Sequence, residues 1–315
     1  TSELPFEVLS TTRMLTALVP LTVLAFLAPA PTQMQKRRRS VSPRAEAQAD
    51  PDYTLISTGL LAELLQCEKA PSSTVTLPTL RNRYFALRHG LSEANVAGVI
   101  SSLPSVGTTI HGLTTEGRLQ ARRSATALIE AVGRDNLGSL HFYSSDFTRA
   151  WQTADEALAG VVNLMQFENA LLCDVDGCVQ GEEPVAEVPP CLTAGVTRTE
   201  LLRERWFGEL DATPLVNYNK VWPRDLVSAS HSHCGVEPVE RVAGRVREFV
   251  LQAEEKHDGC SIVLVSHADT LQIAQTYVAG ADCRTFSQYR FKNAEVRELK
   301  QTPDSLPSPV PLSYA

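Results

Sequence analysis

Residues 261–266, Ser-Ile-Val-Leu-Val-Ser, hold an unbroken apolar run between two serines. Such a run offers water no face, so as a strand it must be covered on both sides, as in the middle of a mainly parallel sheet. Parallel neighbours need long crossovers, usually helices. The chain supplies both elements. Arg83–Arg88 carries Tyr84, Phe85 and Leu87 ahead of His89 and Gly90, and Ser139–Ser144 (SLHFYS) reads as another strand. Between them, Glu116–Val132 repeats Leu119, Ala121, Ala125, Leu128 and Ile129 at helical spacing behind Thr114, a candidate cap. Asp146–Leu158, the amphipathic stretch Val236–His257, and Asp269–Val278 also read as helices, and Ala294–Leu299 as a closing strand. Strands alternating with helices specify an α/β fold, a three-layer α/β/α sandwich with a mostly parallel central sheet.

In such folds ligands sit beyond the carboxyl ends of the strands. Three places therefore matter. Arg88-His89-Gly90 ends the first strand, with Ser92 and Asn95 close behind; Ser144 to Ala150 follows the second, placing Arg149 in the first turn of a helix; Ser266-His267-Ala268 follows the third. Two arginines, two histidines and two helix N-termini then face one space. A phosphoryl group calls for this set, because its oxygens favour bidentate guanidinium donors and oriented N–H dipoles. A neutral imidazole can attack phosphorus through one nitrogen while a backbone carbonyl fixes the other. A second histidine, if protonated, helps hold the equatorial oxygens, and an acid must reach the leaving oxygen.

The stretches LRHGLSEAN, SSDFTRAWQTA, LRERWFG and VLVSHADTLQ occur in that order between Arg81 and Leu299. With them the chain resembles the histidine phosphatase superfamily, in its phosphoglycerate mutase-like branch, and within it the plant and algal members. The resemblance implies that His89 becomes phosphorylated, that Arg88, Arg149 and His267 form the phosphate pocket with Asn95 at its rim, and that Glu204 donates the proton. It places Ala268 beside the phosphate. Arg205 is either a substrate contact or a structural ion-pair partner. A carboxyl beside a phosphate dianion keeps its proton to higher pH, as a proton donor must.

The implied activity is metal-independent hydrolysis of a small phosphomonoester, with no cofactor. A mutase that moves phosphate, or a non-catalytic phospho-ligand-binding protein, stays open. Where the family often shows Gly-Gly-Glu-Ser, this chain has Cys234-Gly235-Val236-Glu237-Pro238, and mutase-type loops after the last histidine are replaced by Ala268-Asp269-Thr270 and a terminal FKNAEVREL. The second departure favours hydrolysis over transfer; the first alters the local pocket shape and keeps the binding-protein reading open. Cys173, Cys178, Cys191, Cys234, His231 and His233 suggest zinc but lack a C-x-x-C pair, and Asp174 to Gly177 lacks the full ligand set of a calcium loop. No metal site is expected from them. Residues 174–198 read as an acidic insert overhanging the pocket, and residues 96–112 as the opposite wall.

The charge is unevenly spread. Met14 to Ala45 contains five basic residues and no acid, whereas from Glu46 onward 23 basic residues face 34 acidic ones, a net of -11. An acidic body is no general nucleic-acid binder, and no apolar run reaches the length of a membrane span. Leu15 to Ala28 resembles a signal-peptide core, and the acid-free, basic stretch 31–45 resembles a transit peptide. Together they resemble a bipartite plastid leader, with secretion or a cytoplasmic location as alternatives. Residues 46–80, with a short helical pattern over Leu55–Leu65, read as a connector, 81–300 as the phosphatase domain, and 301–315 as a tail.

Overall fold

The structure, a computed structural model, describes residues 76–175 and 187–312; the leader, the Leu55–Leu65 pattern and residues 176–186 of the insert lie outside them. Strand β1 (Arg83–Arg88) leads into a short helix, α1 (Glu93–Ala97), then α2 (Thr115–Val132), β2 (Leu140–Ser145) and α3 (Thr148–Val175). A short strand, β3 (Val196–Thr199), precedes the small helix α4 (Trp222–Val227), followed by α5 (Val239–Lys256), β4 (Ser261–Ser266), α6 (Ala268–Val278) and β5 (Val296–Leu299). The sheet order is β3-β2-β4-β1-β5. β1, β2, β3 and β4 run parallel, and β5 is an antiparallel edge.

β4 sits between β1 and β2 with every residue buried, as its continuous apolar run requires. One face of the sheet, with Phe85, Leu87, Phe142, Val263 and Val265, packs on α2 and α3. The other, with Tyr84, Ala86, Ile262 and Leu264, packs on α5 and α6. This is the expected three-layer sandwich. No helix among the described residues is long and apolar enough to cross a membrane.

Several boundaries match the sequence reading and some do not. Thr114 caps α2 through its side chain, which accepts the Gly117 N–H. α5 starts at Val239, three residues later than expected, because Pro238 is its N-cap and has no N–H to bring into the helix. α3 runs on to Val175 rather than ending at Leu158, and takes in the first two residues of the expected insert. Gly160 resembles a helix breaker in sequence, yet a Cβ there would meet the Arg122 carbonyl oxygen at 2.7 Å. It is the point where the backbones of α2 and α3 touch. β3 has no apolar pattern and was not expected; it is an edge strand with two exposed positions.

A second close approach places the loop after β1. A Cβ on Gly90 would lie 2.3 Å from the Gly117 carbonyl oxygen, and one on Gly117 would lie 2.0 Å from that of Leu91. Both obstacles are backbone and cannot swing aside. Gly117→Ala should therefore push the first turn of α2 off this loop, lowering stability by about 1–3 kcal/mol. Urea unfolding checks this, and a wild-type midpoint would show that the contact is slack.

Candidate active site

The loop that follows β1 is held from three directions. The His89 N–H donates to the Ser266 carbonyl at 2.9 Å, the Gly90 N–H to Thr153 Oγ1 at 3.1 Å, and Asn293 Nδ2 to the His89 carbonyl at 3.0 Å. The imidazole of His89, 3% exposed, places Nδ1 2.8 Å from the Gly90 carbonyl oxygen. A carbonyl only accepts, so Nδ1 carries the proton and the lone pair lies on Nε2. Burial, with Arg149 and Arg88 nearby, holds the His89 pKa well below 6.5. The ring is neutral near pH 7, as a nucleophile must be.

His267, the N-cap of α6, is fully buried, with its ring centroid 5.2 Å from that of His89. Its Nε2 lies 3.0 Å from Ser145 Oγ, and Ser145 Oγ also accepts the Phe147 N–H at 3.2 Å. His267 Nδ1 is buried without a hydrogen-bond partner, and so is Arg88 Nε. Unpaired buried donors of this kind are costly, and a bound anion is the ligand that satisfies them. The sequence reading allowed a protonated His267. Here burial, then Arg149, pushes its pKa well below 6.5, so it is neutral until an anion arrives.

Arg149 is 3% exposed, and Nη2 donates to the Ser101 carbonyl at 2.8 Å. Burial lowers its pKa to about 10, still leaving it a cation at neutral pH. Arg88 Nη1 donates to the Phe291 carbonyl at 2.7 Å. Glu204, 9% exposed, accepts the Arg205 N–H through Oε1 at 3.0 Å and the Thr270 N–H, at the start of α6, at 3.4 Å. Asn95 closes the capping box of α1 with Ser92, so its Oδ1 is engaged and its amide nitrogen is the group left at the rim. Ala268, half-buried, opens α6 beside His267.

Arg205 is placed differently. Its guanidinium is wholly buried, with Nη1 and Nη2 each 2.7 Å from a carboxylate oxygen of Asp225, Nε donating to the Glu237 carbonyl at 2.7 Å, and Asp269 at 3.6 Å. Of the two readings the sequence allowed, the geometry gives Arg205 the ion-pair role. Glu237, in the segment that departs from Gly-Gly-Glu-Ser, accepts the Trp206 N–H at 3.2 Å and pairs with Arg245. The altered segment thus braces the loop that carries Glu204.

Two side chains escaped the sequence reading. Thr270 holds Glu204 and donates to the Arg203 carbonyl at 2.8 Å. Tyr218 lies against the site: burial, then Glu204 and Asp269, raises its pKa, so its hydroxyl stays a donor. Its ring stacks on Trp222 at 4.7 Å. Thr270 lies inside the stretch VLVSHADTLQ, where nothing marks it as a partner of Glu204, and Tyr218 sits in no motif. The candidate zinc ligands are not gathered: His231 Nε2 lies 2.7 Å from Asp225 Oδ1 and Cys191 Sγ is 3.2 Å from the Gly138 carbonyl, while the Cys173 side chain and Cys178 lie outside the described set. A cleft of about 1040 Å³ borders Glu204 on its outer side, with Ser102, Trp206, Arg241 and Arg245 among its walls.

The family profile of the histidine phosphatase superfamily (branch 1) matches residues 84–172 and 165–307. The chain belongs to this superfamily. Among solved histidine phosphatase-like folds, it resembles a mycobacterial glucosyl-3-phosphoglycerate phosphatase (20% identity, TM-score 0.47, covering 69% of this chain and 92% of that one). It also resembles the alpha-ribazole phosphatase of Shigella flexneri (20%, 0.45, 69% and 89%) and the phosphoserine phosphatase of Entamoeba histolytica (17%, 0.46, 69% and 89%). No curated protein matches the chain.

The buried imidazoles of this superfamily member set a pH dependence of stability. With folded pKa values below 6.5, the native state binds fewer protons than the unfolded chain once pH falls under 6.5. Stability from His89 and His267 is complete above that pH and is lost as pH drops through 6.5 toward the folded values. Asp269 opposes them: its pKa is pushed up to about 7 by burial and Glu204, so its share is lost as pH rises through 7. Two imidazoles outweigh one carboxyl, so urea stability should decline between pH 7 and 5. The decline should be shallower in His267→Asn, by up to about 1.4 kcal/mol per pH unit. Equal slopes would show that His267 titrates normally.

Proposed function

We propose that the chain is a metal-independent phosphomonoesterase that works through a phosphohistidine. The observation that carries this reading is the hydrogen bond from His89 Nδ1 to the Gly90 carbonyl, which leaves the Nε2 lone pair beside Arg149, Arg88 and His267. Nε2 attacks phosphorus and forms the N–P bond while the ester P–O bond breaks. The leaving oxygen takes its proton from the carboxyl of Glu204. Water, giving a proton back to the Glu204 carboxylate, then attacks the phosphohistidine; inorganic phosphate leaves and the imidazole is restored.

The arginines, the unpaired His267 Nδ1 and the first amides of α6 hold the three equatorial oxygens, and Asn95 bounds the site. Catalysis here is mainly charge stabilisation and positioning. The substrate is a small phosphorylated molecule whose leaving group lies toward the cleft outside Glu204. Mixed-charge walls, with Arg241 and Glu248 both exposed on α5, suit a polar leaving group.

The test is phosphate release by the full chain in the presence of a chelator, on an aryl phosphate and a panel of sugar and glycolytic phosphates. Acid-labile, base-stable label on the protein after a quench is the expected intermediate. Isomerised phosphoglycerate without free phosphate would make the chain a mutase. Tight phosphate binding without turnover would make it a binding protein.

A further inference from the structure

At the opposite end of the strands, three metal-ligating side chains that the phosphatase reading does not use come together. His141 is the second residue of β2, His257 is the C-cap of α5, and Cys260 immediately precedes β4. One ligand atom from each lies within 4.8 Å of the others. The two imidazole centroids are 4.1 Å apart. All three residues are half-buried, neither locked in the core nor loose on the surface. His257 and Cys260 stand in an H-x-x-C spacing, and β2 pairs directly with β4, Leu140 opposite Ser261, which brings His141 to them.

The cradle is fixed by neighbouring side chains. Asn82 Nδ2 donates to the His257 carbonyl at 2.9 Å while Asn82 Oδ1 accepts the Cys260 N–H at 2.8 Å, so one amide spans the turn that presents both residues. Tyr143 Oη lies 2.7 Å from His257 Nε2. A ring whose Nε2–H donates to that hydroxyl leaves Nδ1 as a ligand, the usual way a metal-bound imidazole is oriented. Burial, then Lys256, lowers the His141 pKa, and burial, then His141 and Lys256, lowers that of His257, so both rings are neutral at pH 7 as ligands must be. Lys256 is the nearby cation, lying 5.5 Å from the Tyr143 ring on an exposed, flexible stem.

We propose that His141, His257 and Cys260 form a binding site for a zinc-class divalent cation, with water as the fourth ligand. Two imidazoles and a thiolate suit zinc, and tetrahedral ligand atoms stand about 3.3–3.8 Å apart. The cluster therefore closes by roughly 1 Å, within reach of a χ rotation of the half-buried His141 ring. The strands between this end and His267 are six residues long, so the site lies about 20 Å from the catalytic end. Its effect is to tie the end of α5 to the entries of β2 and β4, a structural clamp independent of phosphate chemistry.

The experiment adds Co²⁺, then Zn²⁺, to the metal-free full chain and reads absorption and melting temperature. The expected result is a thiolate-to-cobalt band with tetrahedral d–d bands, displaced by Zn²⁺, and a melting temperature that rises with Zn²⁺. Cys260→Ser and His257→Gln should each weaken Zn²⁺ binding by roughly 100-fold and remove the band, and Tyr143→Phe should weaken it about tenfold. Cys191→Ser and Cys234→Ser, at other free thiols, should leave the band intact. A tetrahedral cobalt spectrum that survives Cys260→Ser, or none in the wild type, overturns the proposal. Melting of each variant without metal, expected near the wild-type value, separates lost binding from lost folding.

Discussion

His89→Ala should reduce phosphate release by roughly 10⁴-fold or more and leave no labelled protein after an alkaline quench, which preserves the wild-type label. The expectation rests on geometry that survives the substitution. The loop is held through the backbone, by the His89 N–H on Ser266 and by Asn293 and Ala294 on the His89 carbonyl, so alanine removes the imidazole and leaves its frame. A change at Glu204 should look different. Glu204→Gln deprives the leaving oxygen of its proton, which matters for an alkoxide and little for a phenolate. Alkyl phosphates should therefore lose far more rate than aryl phosphates, whereas His89→Ala removes both alike. Wild-type turnover in His89→Ala would remove the phosphohistidine from the mechanism. Uniform loss in Glu204→Gln would remove only the proton donor.

Arg205→Ala should destabilise the fold by about 3–5 kcal/mol, the usual cost of leaving a buried charge without its partner. Arg205 and Asp225 are both fully buried, and the alanine would strand Asp225 with only His231 as a partner. Asp269, 3.6 Å from the guanidinium, would lose a countercharge as well. Urea unfolding reads the effect directly. Arg205→Ala with Asp225→Ala should be less harmful than the sum of the two single changes, because the double variant leaves no orphaned charge of the pair. An unshifted midpoint in Arg205→Ala would mean that water or a neighbour takes over the fork. Activity should fall with stability here, since Arg205 also fixes the segment 203–208 that carries Glu204.

The sheet was legible in sequence where burial leaves no choice. The bounds of β1 and β4 match the sequence reading to the residue, because each strand centres on four apolar residues that must be covered on both faces. β3, with Val-Thr-Arg-Thr, escaped notice because an edge strand owes its place to backbone pairing with β2 and not to its side chains. The length of α3 was underestimated at Gly160, where local propensity speaks for a break and helix–helix contact requires a glycine. At the site, the histidines and arginines could be found because strand ends concentrate them. Glu204 is different, lying on a loop between elements where only the family resemblance marked it. The contact of Thr270 with Glu204 and the place of Tyr218 were invisible, since both follow from tertiary packing alone. Arg205 shows the limit most clearly: one motif, two possible partners, and only the fold to choose between them.

The sheet order has a consequence for how the protein is made. β1 and β2 precede β4 by well over a hundred residues, yet they never touch each other, because β4 lies between them. While the ribosome is still making the middle of the chain, the first strand has no sheet partner and its loop lacks the anchor at Ser266. The segment around Asn293, which holds the His89 carbonyl, emerges later still. Assembly must therefore await nearly the whole polypeptide, and a nascent chain halted before residue 261 carries an exposed apolar strand with nowhere to dock. Chaperone dependence in the cell, and no activity from fragments released early, are what such a topology entails.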